Sequence, residues 1–268
     1  MHSYIPYLVV AFIYIAVAFD FWYATKPTSE HNLKLHSAMI ALGLILHGGL
    51  LYDSVISHGL NLGFYNALSL IFWLTLLIYW LANIKHHLQS LQAFVLPPAA
   101  FFAVLPIFFV ENHYLSDSLS TLFVVHIVIA ILAYSLFTFA ALHALLMLIA
   151  ERNLHRKTSL IKLPSFPPLM VMEDLLFKVI GLGFVLLTFT LISGMLFSEE
   201  IFGKPMQFTH KIIFSIASWL IYGGLLVGRF SYGWRGRKAI RWVLVGFILL
   251  LLAYVGSKFV LEIVLHRG

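Results

Sequence analysis

The sequence contains no cysteine among its 268 residues. Disulfide bonds, electron transfer through thiols and covalent haem attachment through a CxxCH motif are therefore excluded. The sequence also has neither an HExxH zinc motif nor a phosphate-binding glycine loop that ends in Lys and Ser or Thr.

Charged residues are scarce, at 10% of the chain, whereas 61% of the residues are hydrophobic. A soluble domain of this length cannot bury so much apolar surface, so the bilayer must be the solvent. Runs of about 20 residues, long enough to cross a membrane, fall at 4–24, 37–57, 65–83, 93–110, 122–149, 176–197, 209–229 and 240–262. Backbone amides find no water in hydrocarbon, so each run must be a helix. We predict an all-α polytopic membrane protein, a bundle of eight transmembrane helices that forms one integral membrane domain over residues 1–268.

The basic residues are distributed unequally between the two sides of this bundle. One alternate set of loops holds thirteen of them: Lys26, Lys34, Lys85, Arg152, Arg156, Lys157, Lys162, Lys178, Arg229, Arg235, Arg237, Lys238 and Arg241. The other set, with the C-terminal end, holds Lys204, Lys211, Lys258 and Arg267. The positive-inside rule places the richer set in the cytoplasm and both termini outside. The net charge of +6 is then a consequence of topology, and we expect the lipid bilayer but no nucleic acid as a partner.

Three local features modify the pattern of eight helices. Pro97, Pro98 and Pro106 lie inside the fourth run and predict a bent or broken helix. Residues 169–178 mix apolar and acidic side chains and predict a short interfacial helix before the sixth span. Residues 1–24 have no basic n-region, so we expect a retained helix instead of a cleaved signal peptide.

Two of the thirteen histidines are placed within the bilayer, away from the outer ends of the runs: His47 near the middle of the second run and His143 in the fifth. An imidazole inside the bilayer is either functional or a neutral group that bonds to a neighbouring helix. The sequence leaves both alternatives open. Asp20 and Asp53 are the only carboxylates that look buried, and each lies near a helix end. Transport of an ion or a small solute therefore has less support.

Two further histidines stand at helix ends on the outer side, where His126 opens the fifth run and His266 closes the eighth. Two neutral imidazoles from separate helices are what a haem iron with two axial histidines requires. The alternative is that both are interfacial histidines solvated by lipid head groups. Sequence separation does not establish whether the two helices adjoin.

Several motifs occur in the C-terminal half: HIVIAILAYSLF from His126, LGFVLLTFTLISGM from Leu182, GWRGRK from Gly233 and AYVG from Ala253, with PPLM at 167–170. In this order they resemble the cytochrome c assembly (CcsA-type) membrane protein family, in particular its short YpjD/HemX-like branch. The resemblance is strongest over residues 120–262.

The resemblance implies a haem-handling accessory protein of the bacterial inner membrane, not an enzyme, with non-covalent haem b as its cofactor. His126 matches the first external histidine of the family and His266 approximates the second, so both are implied as axial ligands of haem iron at the periplasmic face. We expect His47 to contact haem within the bilayer and His210 to serve as an extra donor. Other cytochrome assembly or membrane proteins are implied as partners.

The chain departs from the family pattern at two places. Residues 198–210 read SEEIFGKPMQFTH, without the tryptophan-rich WWD signature that presents haem for ligation. Val227 and Gly228 occupy the neighbourhood of an intramembrane histidine of the family. These departures predict that haem affinity is kept and ligation is lost. An alternative function is a membrane regulator of tetrapyrrole synthesis, or a scaffold, that binds a partner through basic cytoplasmic loops containing Arg152, Arg156 and Lys157.

Overall fold

The computed structural model describes residues 4–23, 30–57, 59–86, 88–109, 120–155, 168–202 and 210–256. Its helices are α1 (Ile5–Tyr23), α2 (Glu30–Leu51), α3 (Phe64–His86), α4 (Gln92–Phe108), α5 (Thr121–His155), α6 (Leu169–Phe202), α7 (His210–Tyr232) and α8 (Gly236–Leu251). Turns of π-helix at Tyr52–Ile56 and Leu252–Gly256 extend α2 and α8, and a 3-10 turn at Gln89–Leu91 precedes α4. No strand occurs in these ranges, which confirms the predicted all-α class.

Helices α1 to α7 are each long and apolar enough to cross a membrane. They confirm the prediction of a multi-pass membrane protein. The eighth predicted span, 240–262, corresponds in its described part to α8 and the π-turn after it. Residues 257–262 lie outside the described part of the chain, so the count of eight spans stays a prediction, as does the N-out/C-out orientation.

Two local predictions need correction. Helix α4 is not broken, because it runs through Pro97, Pro98 and Pro106 as one helix, and the predicted bend stays a prediction. Proline has a helical φ, and packing on α1 and α3 compensates for the missing amide donors. The interfacial helix at 169–178 is not separate either, since α6 is continuous from Leu169. Its acidic residues do not end it because Glu173 and Asp174 have basic partners at 2.6 Å.

The residue contacts divide the chain into two compact units, of which the first comprises residues 1–115 and 145–172. Within it, α1 packs on α2 and α4, and α3 packs on the same two helices, so that the four form a closed ring. Two tryptophans of α3 fix the register against α2. The Trp73 indole donates to the Leu44 carbonyl at 2.9 Å, and the Trp80 indole donates to Ser37 Oγ at 3.0 Å. We call this ring the four-helix unit.

The second unit comprises residues 116–144 and 173–268. Its helix α7 contacts three others. The Trp219 indole donates to Thr188 Oγ1 of α6 at 2.8 Å, and Ser218 Oγ donates to the Gly246 carbonyl of α8 at 2.9 Å. The Tyr222 ring stacks on Phe137 of α5 with centroids 4.0 Å apart. The single domain expected from the sequence stays a prediction.

Gly43 of α2 permits the close approach of α1, because a Cβ atom there would overlap the Tyr14 ring. Gly49, on the same helix, has nothing within 4 Å of that position. Gly43→Val should lower the free energy of unfolding by about 1–3 kcal/mol through overpacking, whereas Gly49→Val should change it by less than about 0.5 kcal/mol. Thermal unfolding in mild detergent measures both, and equal melting temperatures for the two variants would contradict this packing.

Candidate functional site

His126 lies near the start of α5 and is half-buried. Its Nδ1 atom is 2.7 Å from Ser193 Oγ of α6. The Phe123 ring stacks on the imidazole, with centroids 6.0 Å apart and an interplanar angle of 15°. A hydrogen bond from one helix and an aromatic ring from its own helix therefore fix the orientation of this side chain.

The Ser193 hydroxyl determines which nitrogen of neutral His126 carries the proton. This hydroxyl donates to the Phe189 carbonyl at 2.6 Å. A serine has one hydroxyl hydrogen, so its oxygen acts as the acceptor towards the imidazole. This assignment makes Nδ1 of His126 the N–H donor and leaves the ring lone pair on Nε2. Histidines that bind metals typically donate their second nitrogen in this way, so the arrangement suits a metal bound through Nε2.

An apolar groove of about 190 Å³ adjoins His126 between α5 and α6. Its apolar walls are Leu122, Val125, Ile129, Phe189, Ile192 and Leu196, and the polar residues among its described lining are His126 and Ser193. Apolar walls with one oriented nitrogen donor suit the edge of a flat, apolar ring that carries a metal ion.

A larger groove of about 490 Å³ lies between α6 and α7. Its lining includes Phe184, Trp219 and Phe230, with Ser231 as its hydroxyl. The Trp219 N–H is already used by Thr188, and none of the lining residues that the structure describes has an imidazole or a carboxylate. This groove therefore presents no metal ligand, and we take the smaller one as the candidate site.

A cationic and aromatic cluster lies near His126 in the same unit. Lys211, on the first turn of α7, places its Nζ 6.0 Å from the centroid of the Tyr254 ring, and its charge interacts with His126. The Tyr254 ring is 5.4 Å from that of Tyr134, which hydrogen-bonds to Ser215. We call these four residues, Lys211, Tyr254, Tyr134 and Ser215, the Lys211 cluster. It adds a positive charge beside the groove.

His47 has different surroundings, because it lies in the four-helix unit and is fully buried. Its Nδ1 is 3.5 Å from Tyr14 Oη of α1, and its Nε2 is 3.0 Å from Ser69 Oγ of α3. Both ring nitrogens therefore face hydroxyl groups. This arrangement favours the second alternative from the sequence, an imidazole that links neighbouring helices, and a contact with haem stays a prediction.

The structure says less about the other histidines that the sequence analysis singled out. His210 is the exposed first residue of α7, next to Lys211 in sequence. His143 is buried in α5, and its ring stacks on Phe139 at 5.8 Å. His266 lies outside the described residues, so its pairing with His126 is untested. Within the described ranges, no group of three or more His, Cys, Asp or Glu side chains could hold a metal ion.

Sequence reasoning missed Ser193 and Lys211. Ser193 lies within an apolar motif, LISG, where a small residue reads as helix packing. Lys211 did carry a signal, because it is one of only four basic residues assigned to the outer side.

Comparisons with known proteins agree with one another. The family model described as "Cytochrome C assembly protein" matches residues 35–265. Inner membrane protein YpjD of Escherichia coli is 33% identical over 157 residues, which cover 58% of this chain and 59% of that protein. An uncharacterized 28.8 kDa protein of Azospirillum brasilense is 34% identical over 140 residues, 52% of each chain. Cytochrome c biogenesis protein CcsA of Prochlorococcus marinus is 37% identical over 95 residues, 35% of this chain and 30% of that protein. These alignments thus span at most about three fifths of each relative.

Proposed function

Because the chain belongs to the cytochrome c assembly protein family, we propose that it is a haem-handling protein that presents haem at the periplasmic face of a bacterial inner membrane. The match confirms the resemblance that the motifs of the C-terminal half predicted. Family membership suggests a role in cytochrome c biogenesis, and the name of the relative YpjD, an inner membrane protein, supports the location. Haem supplies an iron that takes axial nitrogen ligands, a flat apolar ring and two propionates.

The observation that carries this proposal is the contact of 2.7 Å between His126 Nδ1 and Ser193 Oγ. Ser193 holds Nδ1 as a donor, so Nε2 would be the axial ligand of the iron. The groove beside it would take an edge of the ring. His266 is proposed as the second axial ligand from its position in the sequence, and His210 as an additional donor at the start of α7. The proposed role is to bind and orient haem, and no bond-breaking step is assigned to the chain.

Purification in detergent followed by titration with haem tests the proposal. We expect a Soret band that saturates at one haem per chain. We also expect the haem to be extractable by acidic solvent, because the chain has no cysteine to bind it covalently. A protein that produces no Soret shift at any haem concentration, whether purified with or without added haem, would overturn this function.

Lys211 is proposed to pair with a haem propionate, because it is a cation beside His126. Lys211→Met should weaken haem binding about tenfold through loss of a charge-assisted hydrogen bond. Binding of haem dimethyl ester, which has no carboxylate, should be equally strong in wild type and variant. Lys85→Met, at the C-terminal end of α3, serves as the control. Equal weakening for haem and its ester would contradict a propionate contact.

The regulator alternative is supported by the loop between α7 and α8, which presents basic residues on a fixed backbone. The Trp234 ring packs against Gly228, and its amide donates to the Gly228 carbonyl at 3.0 Å. Lys238 Nζ lies 3.6 Å from the Trp234 centroid. Gly233 and Gly236 have φ values of 63° and 54°, which favour glycine.

This alternative makes its own prediction for Arg237 and Arg241, which are exposed on the first turns of α8 after this loop. Reversal of both charges to Glu should change the tetrapyrrole content of cells, whereas His126→Ala should not. The haem-handling function predicts the opposite pattern.

A further inference from the structure

The four-helix unit contains a second set of polar groups that the proposed haem site does not use. They lie at its inner end, which we define as the C-terminal ends of α1 and α3 and the N-terminal ends of α2 and α4. Five buried atoms there have no hydrogen-bond partner among the residues that the structure describes: His36 Nδ1, Tyr79 Oη, Asn83 Oδ1, Ser90 Oγ and Gln92 Nε2. The side chains of Tyr79, Ser90 and Gln92 are at most 2% exposed.

The helix registers place these atoms in one layer. Trp80 bonds to Ser37, so His36 of α2 is level with the turn of α3 that contains Tyr79 and Asn83. The Phe72 ring of α3 stacks on Phe102 of α4 at 4.2 Å. Because these two helices run antiparallel at about 1.5 Å per residue, Tyr79 and Asn83 are level with the first turns at the start of α4. Those turns contain Ser90 and Gln92.

Lipid does not reach this layer, because α1 to α4 form a closed ring and the five atoms are buried. An unpaired polar atom in an apolar interior is unfavourable, and five in one layer would be strongly so. The set contains both donors and acceptors. The Gln92 amide nitrogen donates, the Asn83 carbonyl oxygen accepts, the hydroxyls of Tyr79 and Ser90 do both, and His36 Nδ1 does either according to its tautomer. Buried water typically makes about three hydrogen bonds to such groups.

We propose that the inner end of the four-helix unit binds a cluster of internal water molecules through His36, Tyr79, Asn83, Ser90 and Gln92. His36 also connects this layer to the protein surface. Its Nε2 is 2.8 Å from Asp20 Oδ2, and the Asp20 side chain is 65% exposed whereas that of His36 is 7% exposed. The Asp20–His36 pair is therefore the link between the internal water and the aqueous phase on the side that the charge distribution assigns to the cytoplasm.

X-ray hydroxyl-radical footprinting of the full chain in detergent tests the proposal, because radicals formed from bound water modify the side chains next to it. Tyr79 is compared with Tyr222. Both are fully buried, but the Tyr222 hydroxyl donates to the Val243 carbonyl at 3.3 Å. We expect Tyr79 to be modified several times faster than Tyr222. Equal rates for the two tyrosines would overturn the proposal.

Two variants make the test specific to this layer. Gln92→Leu fills a similar volume without a donor, and it should slow the modification of Tyr79 while leaving that of Tyr222 unchanged. Tyr79→Phe should leave the melting temperature unchanged or lower it, because the hydroxyl is satisfied by water. A rise in the melting temperature of Tyr79→Phe would show that the hydroxyl was unpaired in a dry interior. An unchanged rate of Tyr79 modification in Gln92→Leu would likewise contradict the water cluster.

Discussion

Replacement of His126 by alanine is expected to lower the haem affinity of the purified protein by about a hundredfold or more, because it would remove the proposed Nε2 ligand of the iron and not merely a group that orients such a ligand. Ser193→Ala is expected to have an intermediate effect, about 10- to 100-fold, because partners that orient a metal ligand typically contribute that much. Haem titration followed by the Soret band measures both variants. His86→Ala, which removes a histidine at the end of α3, is the control and should bind haem like wild type.

Substitutions of Ser193 distinguish a role in orienting the His126 imidazole from a merely structural role. Without its hydroxyl, Nδ1 of His126 loses its acceptor, and the proton is free to occupy Nε2 instead. Ser193→Ala should therefore change the Soret spectrum as well as the affinity. Ser193→Thr keeps the hydroxyl and should restore both. Wild-type affinity and spectrum in Ser193→Ala would show that the hydrogen bond at 2.7 Å does not orient the ligand.

The helices of this protein could be predicted from the sequence, because each apolar run must form its own backbone hydrogen bonds within the bilayer. The predicted run at 65–83, for instance, corresponds to α3 at Phe64–His86. The contacts between helices could not be predicted in this way. His126 and Ser193 are 67 residues apart, and nothing in their local sequences specifies that α5 and α6 meet at this level.

His47 illustrates the same limit. The sequence identified it as an imidazole inside the bilayer but could not distinguish a ligand from a helix-linking group. Its two hydroxyl partners, Tyr14 and Ser69, are 33 and 22 residues away and belong to different helices. The Tyr14 contact depends on the close approach of α1 at Gly43, which a pattern of apolar residues does not encode.

Glu173 shows why the interfacial helix predicted at 169–178 was wrong. Its position predicted an interface with water, yet its side chain is only 14% exposed within the continuous helix α6. Oε1 of Glu173 accepts from Arg229 Nη1 at 2.6 Å and lies 3.3 Å from Arg235 Nε. The Arg229 guanidinium also lies 4.6 Å from the centroid of the Phe177 ring. The carboxylate is therefore part-buried, and its partners are 56 residues and more away in sequence.

Glu173→Ala is accordingly expected to be the most destabilising of the variants considered, by about 3 kcal/mol or more, because it leaves the Arg229 charge, 19% exposed, without a carboxylate. Lys178→Ala is a matched control from the next turn of α6. It breaks the ion pair of Lys178 and Asp174, which are 66% and 61% exposed. The free energy of unfolding should therefore fall by less than about 0.5 kcal/mol. Thermal unfolding in detergent compares the two.

The double variant Glu173→Leu with Arg229→Met tests the physical reason for this difference. When both charges are removed together, no buried charge is left unpaired, so the double variant should be more stable than Glu173→Ala. If the losses from the two sites were additive instead, Arg229 would have enough contact with water to be solvated without its partner. In that case Glu173 and Lys178 would contribute equally little, and the ion pair would belong to the surface as the sequence had predicted.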